Sequence, residues 1–357
     1  MKPEKPERLQ HGRGATLSPD NRYSTNSRAE IDDGWGNLDE PLTPLTTTLT
    51  VDASRTVISY NDSPDVGFDR SINPYRGCEH GCVYCFARPT HAYLDLSPGL
   101  DFESRLFYKP EAPALLRKEL AAPRYQCAPI AVGIITDSYQ PVERQLGLTR
   151  RILEVLLEVR HPFTIVTKSA LVERDLDLLA RAAALDLVSV AISVTTLRRD
   201  IARRLEPRAA APQRRLEVIR TLNDAGIPVT VLVAPLIPVL TDVELEDILA
   251  GAREAGAGAA GYVLLRLPHE LKEIFRDWLH THEPLKAGHV MSRLQDARGG
   301  KDYQAEFGLR MRGSGEYAAM IEQRFRLSRK KLGYGAVPTL DCSRFIKPAA
   351  GPQMNLF

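Results

Sequence analysis

The chain has 357 residues, 43% hydrophobic and 26% charged, enough for one large domain or two modest ones around a sizeable core. Its 47 Lys and Arg nearly cancel 45 Asp and Glu, which excludes a uniformly polycationic protein, so any basic surface must be local. Five cysteines, three of them crowded between positions 78 and 85, argue against a disulfide framework.

Residues 1–55 are rich in Pro, Asp, Asn, Ser, Thr and Arg and lack a period, so they read as a disordered or loosely draped segment. The opening MKPEKPERLQHGRG has no apolar core of the kind a secretion signal needs. The longest apolar stretch, 229–240, is broken by Pro235 and Pro238 and is too short to span a bilayer. A cytoplasmic protein with no membrane segment is expected.

From Ile72 onward, short apolar runs alternate with longer helix-like stretches, the pattern of βα units on a parallel sheet. Strands are expected over 131–136, 163–168, 187–194, 229–234 and 261–267, each rich in Val, Ile or Leu. Helices are expected over 148–159, 171–184, 213–225 and 243–254, the third stopping at Ala225-Gly226. A further strand just before Cys78 brings the count to about six βα units. The expected fold class is therefore α/β, a partial (β/α)6 TIM-type barrel over residues 56–300, with ligand sites at the C-terminal strand ends. Residues 301–357 form a short C-terminal extension with one helix over 316–331.

The motif Asn73-Pro74-Tyr75-Arg76-Gly77-Cys78-Glu79-His80-Gly81-Cys82-Val83-Tyr84-Cys85-Phe86 is a C-x3-C-x2-C run in a glycine-containing loop, able to wrap closely around a bulky ligand. Structural zinc takes four Cys or His ligands and an ordinary cubane takes four thiolates. Three closely spaced thiolates fit either only with another ligand. They suit a 4Fe-4S cluster with one iron left open; zinc completed by His80 or His91, and three unrelated buried thiols, are the competing readings.

The run resembles the signature of the radical S-adenosylmethionine (SAM) superfamily, and its flanks resemble the spore photoproduct lyase-like branch, over roughly residues 64–300. The resemblance implies that Cys78, Cys82 and Cys85 bind three irons of a 4Fe-4S cluster and that SAM binds the fourth. A low-potential donor of flavodoxin or ferredoxin type would reduce the cluster, and cleavage of SAM would yield a 5′-deoxyadenosyl radical. Tyr84 joins the three cysteines as a candidate catalytic residue, and Phe86 as an aromatic contact to the cofactor.

Downstream strand ends offer further contacts. Thr136, Asp137 and Tyr139 follow the second strand, where the resemblance implies a site for the methionine amino group; a capped helix start explains the same residues. Lys168 closes the third strand, and Ser193 and Thr195 close the fourth, where the superfamily often places carboxylate and ribose contacts. Glu206-Pro207-Arg208 resembles a Glu-Pro element of the family, and Arg208 or Arg215 suits a carboxylate. The fifth strand runs into Pro235-Leu236-Ile237-Pro238, which suits either adenine or a packed core.

Arg310, Arg312, Arg324, Arg326, Arg329, Lys330 and Lys331 make a local positive excess able to track phosphates, or simply a solvated face. The terminal Gln353-Met354-Asn355-Leu356-Phe357 resembles the peptide by which bacterial replication and repair proteins dock on the sliding clamp, with Gln353, Leu356 and Phe357 as anchors. These features favour DNA or RNA as substrate, in repair or modification. A protein or small-molecule substrate, and a non-catalytic zinc module recruited to the clamp, are the alternatives. One departure matters. Where the repair lyase carries its hydrogen-donating cysteine, this chain has Ile135, and Cys127 would serve only if its loop bent back.

Overall fold

The computed structural model describes residues 10–24 and 44–349. Its strands are β1 (Thr48–Val51), β2 (Ile58–Tyr60), β3 (Arg70–Ile72), β4 (Tyr75–Arg76), β5 (Arg105–Tyr108), β6 (Ile130–Val132), β7 (Phe163–Thr167), β8 (Val188–Ser193), β9 (Val229–Leu236) and β10 (Ala259–Leu264). Strands β3, β6, β7, β8, β9 and β10 lie side by side in that order, all parallel, with β2 antiparallel on the outer edge of β3. Six parallel strands in sequence order with returning helices are the partial barrel that the alternating pattern predicts.

The sheet is buried on both faces, which is why its strands read as continuous apolar runs. Ile130 pairs with Phe163 and Phe163 with Val188, all three at most 1% exposed. Outside them, helix Leu148–Glu158 buries Ile152, Leu153 and Leu156 completely. Each such side chain contributes about 1.5–3 kcal/mol by leaving water. Helices Leu176–Ala183, Pro212–Asp224 and Leu245–Glu254 complete the βα units, and Pro212 starts its helix where a missing N–H costs nothing.

Two features differ from the expectation. The strand before the cysteines divides: β3 belongs to the barrel, whereas β4 pairs with β5 in a separate small sheet with β1. The cysteine loop is therefore anchored at both ends by that small sheet. Beyond β10, two unexpected helices, Leu271–His282 and Pro284–Asp296, bury Phe275, Trp278 and Leu294 in a second core that also holds Val83 and Tyr84.

The first described segment is more than a loose drape. Gly14 and Ala15 donate backbone N–H groups to the Glu103 carboxylate at 2.9 and 2.8 Å, and Arg13 donates to the Glu103 carbonyl at 2.7 Å. At the other end, residues after helix Gly315–Leu332 strap the N-terminal edge of the barrel. Asp341 N–H bonds the Asp186 carbonyl and Ile346 N–H the Val159 carbonyl, both at 2.9 Å, while Phe345 packs on Tyr125 and His161. The strap also brings together two cysteines that look isolated in the sequence: Cys342 lies within hydrogen-bonding reach of Cys127. Among the described residues, no helix is long and apolar enough to cross a membrane.

Candidate active site

The cysteine loop leaves β4 at Arg76 and turns at once. Gly77 has φ +79°, and a Cβ there would stand 2.6 Å from Leu106 Cδ2 and 2.8 Å from the Phe102 carbonyl. Gly81, with φ +66°, has Glu103 Oε2 at 2.6 Å in the same sense. Both positions demand glycine on conformation and on space. The Cys78 N–H donates to the Phe102 carbonyl at 2.9 Å, and the Val83 N–H to the Leu205 carbonyl at 3.0 Å.

Beneath the loop lies Arg88, fully buried. Its Nε donates to the Cys82 carbonyl at 2.8 Å, Nη1 to the Pro98 and Gly99 carbonyls at 3.1 and 2.9 Å, and Nη2 to the Gly81 carbonyl at 3.1 Å and to Glu103 Oε1 at 2.5 Å. Gln140 ties the loop to the barrel: its Nε2 donates to the Gly77 carbonyl at 3.2 Å and its Oε1 accepts from the Glu79 N–H at 2.8 Å. Neither Arg88, Glu103 nor Gln140 is marked by the sequence pattern, since polar residue types ordinarily signal solvent.

The three thiols share this enclosure. Burial pushes all of them above the ordinary thiol range, and the Cys78 thiol is raised further by its neighbours Asp137, Cys82 and Cys85. Backbone N–H groups nevertheless point at the sulfurs, from His80 to Cys78 and from Ala87 and Arg88 to Cys85. Three thiolates this enclosed need a bound cation, and N–H donors aimed at sulfur are the setting that tunes an iron–sulfur cluster. The donor set fits the cluster.

Zinc fits less well. Tetrahedral zinc on these thiolates would take its fourth ligand from His80 or His91, and both are turned to other groups. His91 Nε2 is engaged with the Arg105 carbonyl at 3.0 Å, and its ring packs edge-on against Phe102. His80 Nδ1 faces Asp137 Oδ2 at 3.3 Å.

The strand-end residues form two networks. In the first, Asp137 accepts from the Tyr139 N–H at 2.9 Å, the Thr167 hydroxyl at 2.8 Å and the Lys168 N–H at 2.8 Å. Burial alone would raise its carboxyl, but His80 and these donors outweigh it and bring the pKa to about 2. Thr136 Oγ1 donates to the Tyr75 carbonyl at 3.1 Å. Tyr139 points away: its hydroxyl is buried on Asp175 at 3.0 Å, so this residue is core and not a cofactor contact.

In the second network, Lys168 Nζ donates to Ser193 Oγ at 2.7 Å and lies 5.8 Å from the Tyr84 ring centre. Burial lowers the Lys168 ammonium, a shift opposed by the nearby Cys82. Glu206 is 3% exposed and fully engaged. One oxygen takes Tyr84 and, at 2.7 Å, Thr195; the other takes Arg215. The carboxylate therefore holds Tyr84 in place, with both of its oxygens engaged. Arg215 is fixed further by the Ser193 and Ala210 carbonyls at 3.0 and 2.7 Å. Arg208 pairs with Glu79 at 3.1 Å on the rim of the same loop. Leu236 and Ile237 are wholly buried in apolar surroundings, the packed-core alternative for that segment.

Ile135 packs against the cluster of Cys78, Ala87 and Phe102, so an apolar side chain abuts the cysteine loop. Cys127 cannot substitute, because it sits before β6, at the opposite end of the barrel from the cysteine loop. The basic stretch is divided. Arg310 is bonded to Asp65 and Ser63, Arg324 to Glu246, and Arg329 to the Gly335 carbonyl, leaving Arg312, which lies over the Tyr262 ring, with Arg326, Lys330 and Lys331 as its exposed cations. Gln353, Leu356 and Phe357 lie outside the described residues.

Comparison with known proteins agrees with this architecture. The profile of the Radical SAM superfamily matches residues 72–250, from β3 to the helix after β9. An uncharacterised protein of Mycobacterium tuberculosis is 39% identical over 219 residues, 61% of this chain and 64% of that one, so the chain spans somewhat under two thirds of that relative. An uncharacterised protein of Methanocaldococcus jannaschii is 29% identical over 173 residues, 48% of this chain and 62% of that one. Among solved structures, spore photoproduct lyase complexed with dinucleoside spore photoproduct superposes with a TM-score of 0.56 at 16% identity, covering 80% of this chain and 79% of that one. A variant of that lyase with bound AdoMet and the dinucleoside gives 0.55 at 15% identity over the same shares. The chain belongs to the radical SAM superfamily, with the cysteine loop and barrel of an enzyme of that class.

Proposed function

We propose that this enzyme cleaves SAM reductively at a 4Fe-4S cluster held by Cys78, Cys82 and Cys85, and that its substrate is a nucleic acid. When bound, the cluster supplies the electron that splits the carbon–sulfur bond of SAM and so provides a 5′-deoxyadenosyl radical for hydrogen abstraction. The chain's own residues do the rest. Arg88 and Gln140 fix the loop that presents the thiolates, Glu206 holds Tyr84 against the pocket, and Lys168 with Ser193 offers polar contacts at the strand ends. Thr136 and Asp137 shape the first polar strand end, Arg208 its rim, and Phe86 shields the third cysteine. Reduction draws on a low-potential donor of flavodoxin or ferredoxin type.

The observation that carries the reading is the single enclosed loop bearing three thiols at the C-terminal end of a six-stranded parallel barrel. Support for nucleic acid is the likeness in fold to a lyase whose ligand is a dinucleoside photoproduct, together with the exposed cations Arg312, Arg326, Lys330 and Lys331. Cleavage of that photoproduct itself is not assigned, because Ile135 brings no thiol to the loop. The C-terminal peptide Gln353 to Phe357 remains part of the proposal as a sliding-clamp contact.

The test is 5′-deoxyadenosine production by anaerobically reconstituted, reduced protein with and without single-stranded and duplex oligodeoxynucleotides carrying deuterium on the sugar and base carbons. Deuterium appearing in 5′-deoxyadenosine supports the proposal. Cofactor cleavage that neither responds to oligonucleotide nor acquires label directs attention to a protein or small-molecule substrate.

A further inference from the structure

Most buried or half-buried arginines of this protein have a carboxylate: Arg88 has Glu103, Arg215 has Glu206, and Arg174 has both Glu143 and Asp175. Arg266 does not. It lies two residues beyond the end of β10, the last parallel strand, on the face of the barrel where ligands bind. Its Nη1 reaches Met311 Sδ at 3.4 Å and its Nη2 the Tyr303 hydroxyl at 3.5 Å, a weak acceptor and a bond at the limit of length. Its Nε is buried with no partner.

The surroundings sharpen the anomaly. The guanidinium carbon sits 5.2 Å from the ring centre of Phe86, the residue after Cys85, so the arginine is tied to the edge of the cysteine loop. Phe86 is 40% exposed, which leaves this pair open to a ligand. Asp65, whose charge Arg266 feels, is already occupied by Arg310 and by the Gly308 N–H at 2.6 Å. Behind Arg266 stands Arg298, 1% exposed, which donates to the carbonyls of Leu264, Leu265, Leu309 and Arg310 and also has a buried Nε without a partner. Burial and the adjacent Arg266 charge bring Arg298 down to about 10. Arg266 and Arg310 thus share one carboxylate, which Arg310 takes, and Arg266 is left with only weak partners for its terminal nitrogens.

We infer that Arg266, backed by Phe86, is the substrate's anion subsite and takes a backbone phosphodiester of a single-stranded nucleic acid at the barrel mouth. This inference rests on the nucleic-acid reading above and adds the residue that would fix the strand relative to the cysteine loop. Each terminal nitrogen of this planar guanidinium keeps one further N–H, and the two together match two phosphate oxygens, with the Phe86 ring against the group. A neutral acceptor would leave the local positive charge uncompensated.

Binding of a fluorescein-labelled single-stranded oligodeoxynucleotide to the reconstituted full chain, measured by anisotropy across salt concentration, tests it. Arg266→Met is expected to lose about 10- to 100-fold in affinity, the range of a charge-assisted bond, and Arg266→Lys to fall between. The slope of log affinity against log salt should decrease in magnitude by about 0.7 in Arg266→Met, the loss of one single-strand phosphate contact. Melting temperature and iron content establish that the variants are folded. A second measurement needs no variant: replacing one phosphodiester at a time by an uncharged methylphosphonate should weaken wild-type binding at one position above all others. Tight wild-type binding that Arg266→Met leaves unchanged, or a methylphosphonate series without effect, overturns the role of Arg266 alone. Wild-type protein that binds no oligonucleotide overturns the nucleic-acid reading and this inference with it.

Discussion

Replacing Glu206 by Gln probes the frame that supports the cysteine loop. The carboxylate is 3% exposed and Arg215 2% exposed, with Tyr84 and Thr195 on the second oxygen. Glutamine keeps the volume but removes the charge, leaving Arg215 as a buried cation with only the carbonyls of Ser193 and Ala210. Removing one partner of a buried pair costs about 3–5 kcal/mol. Unfolding entropy of about 2.1 cal/mol/K per residue over the 357 residues gives about 0.75 kcal/mol/K, so the melting temperature should fall by about 4–7 °C. The assay is thermal and urea unfolding of wild type, Glu206→Gln, Arg215→Met and the double variant. Because the double variant removes both charges, it should be more stable than the sum of the single losses predicts, by about 2 kcal/mol. A Glu206→Gln melting temperature within about 1 °C of wild type, or strict additivity in the cycle, would refute the reasoning.

Arg88→Met is expected to loosen the loop by removing its bonds to the carbonyls of Gly81, Cys82, Pro98 and Gly99, and to lower iron uptake on anaerobic reconstitution; wild-type iron content in a folded variant would contradict this. Gln140→Leu strands the Gly77 carbonyl and the Glu79 N–H, a loss of about 1–3 kcal/mol for each buried group, read in urea unfolding. His91 and His161 are held neutral by burial, with pKa values about 4 against an ordinary 6.5. The unfolded chain therefore binds more protons between those values, and stability should fall as pH drops from about 6.5 towards 4, by about 3 kcal/mol for each histidine. His161→Gln should flatten that decline in pH-dependent urea melts, and an unchanged slope would count against it. Burial and the Cys342 thiol push Cys127 up to about 12, so its alkylation at pH 8 should be about 100-fold or more slower in the native chain than in urea. Peptide mass mapping distinguishes that site from the others.

The parallel core was legible because β7, β8 and β9 lie inside the sheet and carry buried Val, Ile, Leu and Phe along their length. The first barrel strand was not separable from β4, since Arg70–Ile72 is three residues long and two of them are polar. Helices Leu271–His282 and Pro284–Asp296 went unread for another reason: no strand follows them, so the alternation that brackets the earlier helices is missing. At the site, cysteine spacing and the Glu206-Pro207 element stood out. Glu103, Gln140 and Arg266 did not, because their partners lie far away in the chain, and Arg88 did not, because bonds to local backbone carbonyls leave no mark on the residue pattern. Tyr139 was misplaced by its position two residues after Asp137. Its hydroxyl turns to Asp175, a partner that only the packing of the next βα unit provides.

The most direct measurement of the central claim is iron, acid-labile sulfide and 5′-deoxyadenosine in anaerobically reconstituted wild type and in Cys82→Ala. About four irons and four sulfides per chain, with reductant-dependent cleavage of SAM in the wild type and loss of both in Cys82→Ala, are predicted. Zinc in place of iron and sulfide, or full cluster content and cleavage in Cys82→Ala, would contradict the assignment of Cys78, Cys82 and Cys85 as the cluster ligands.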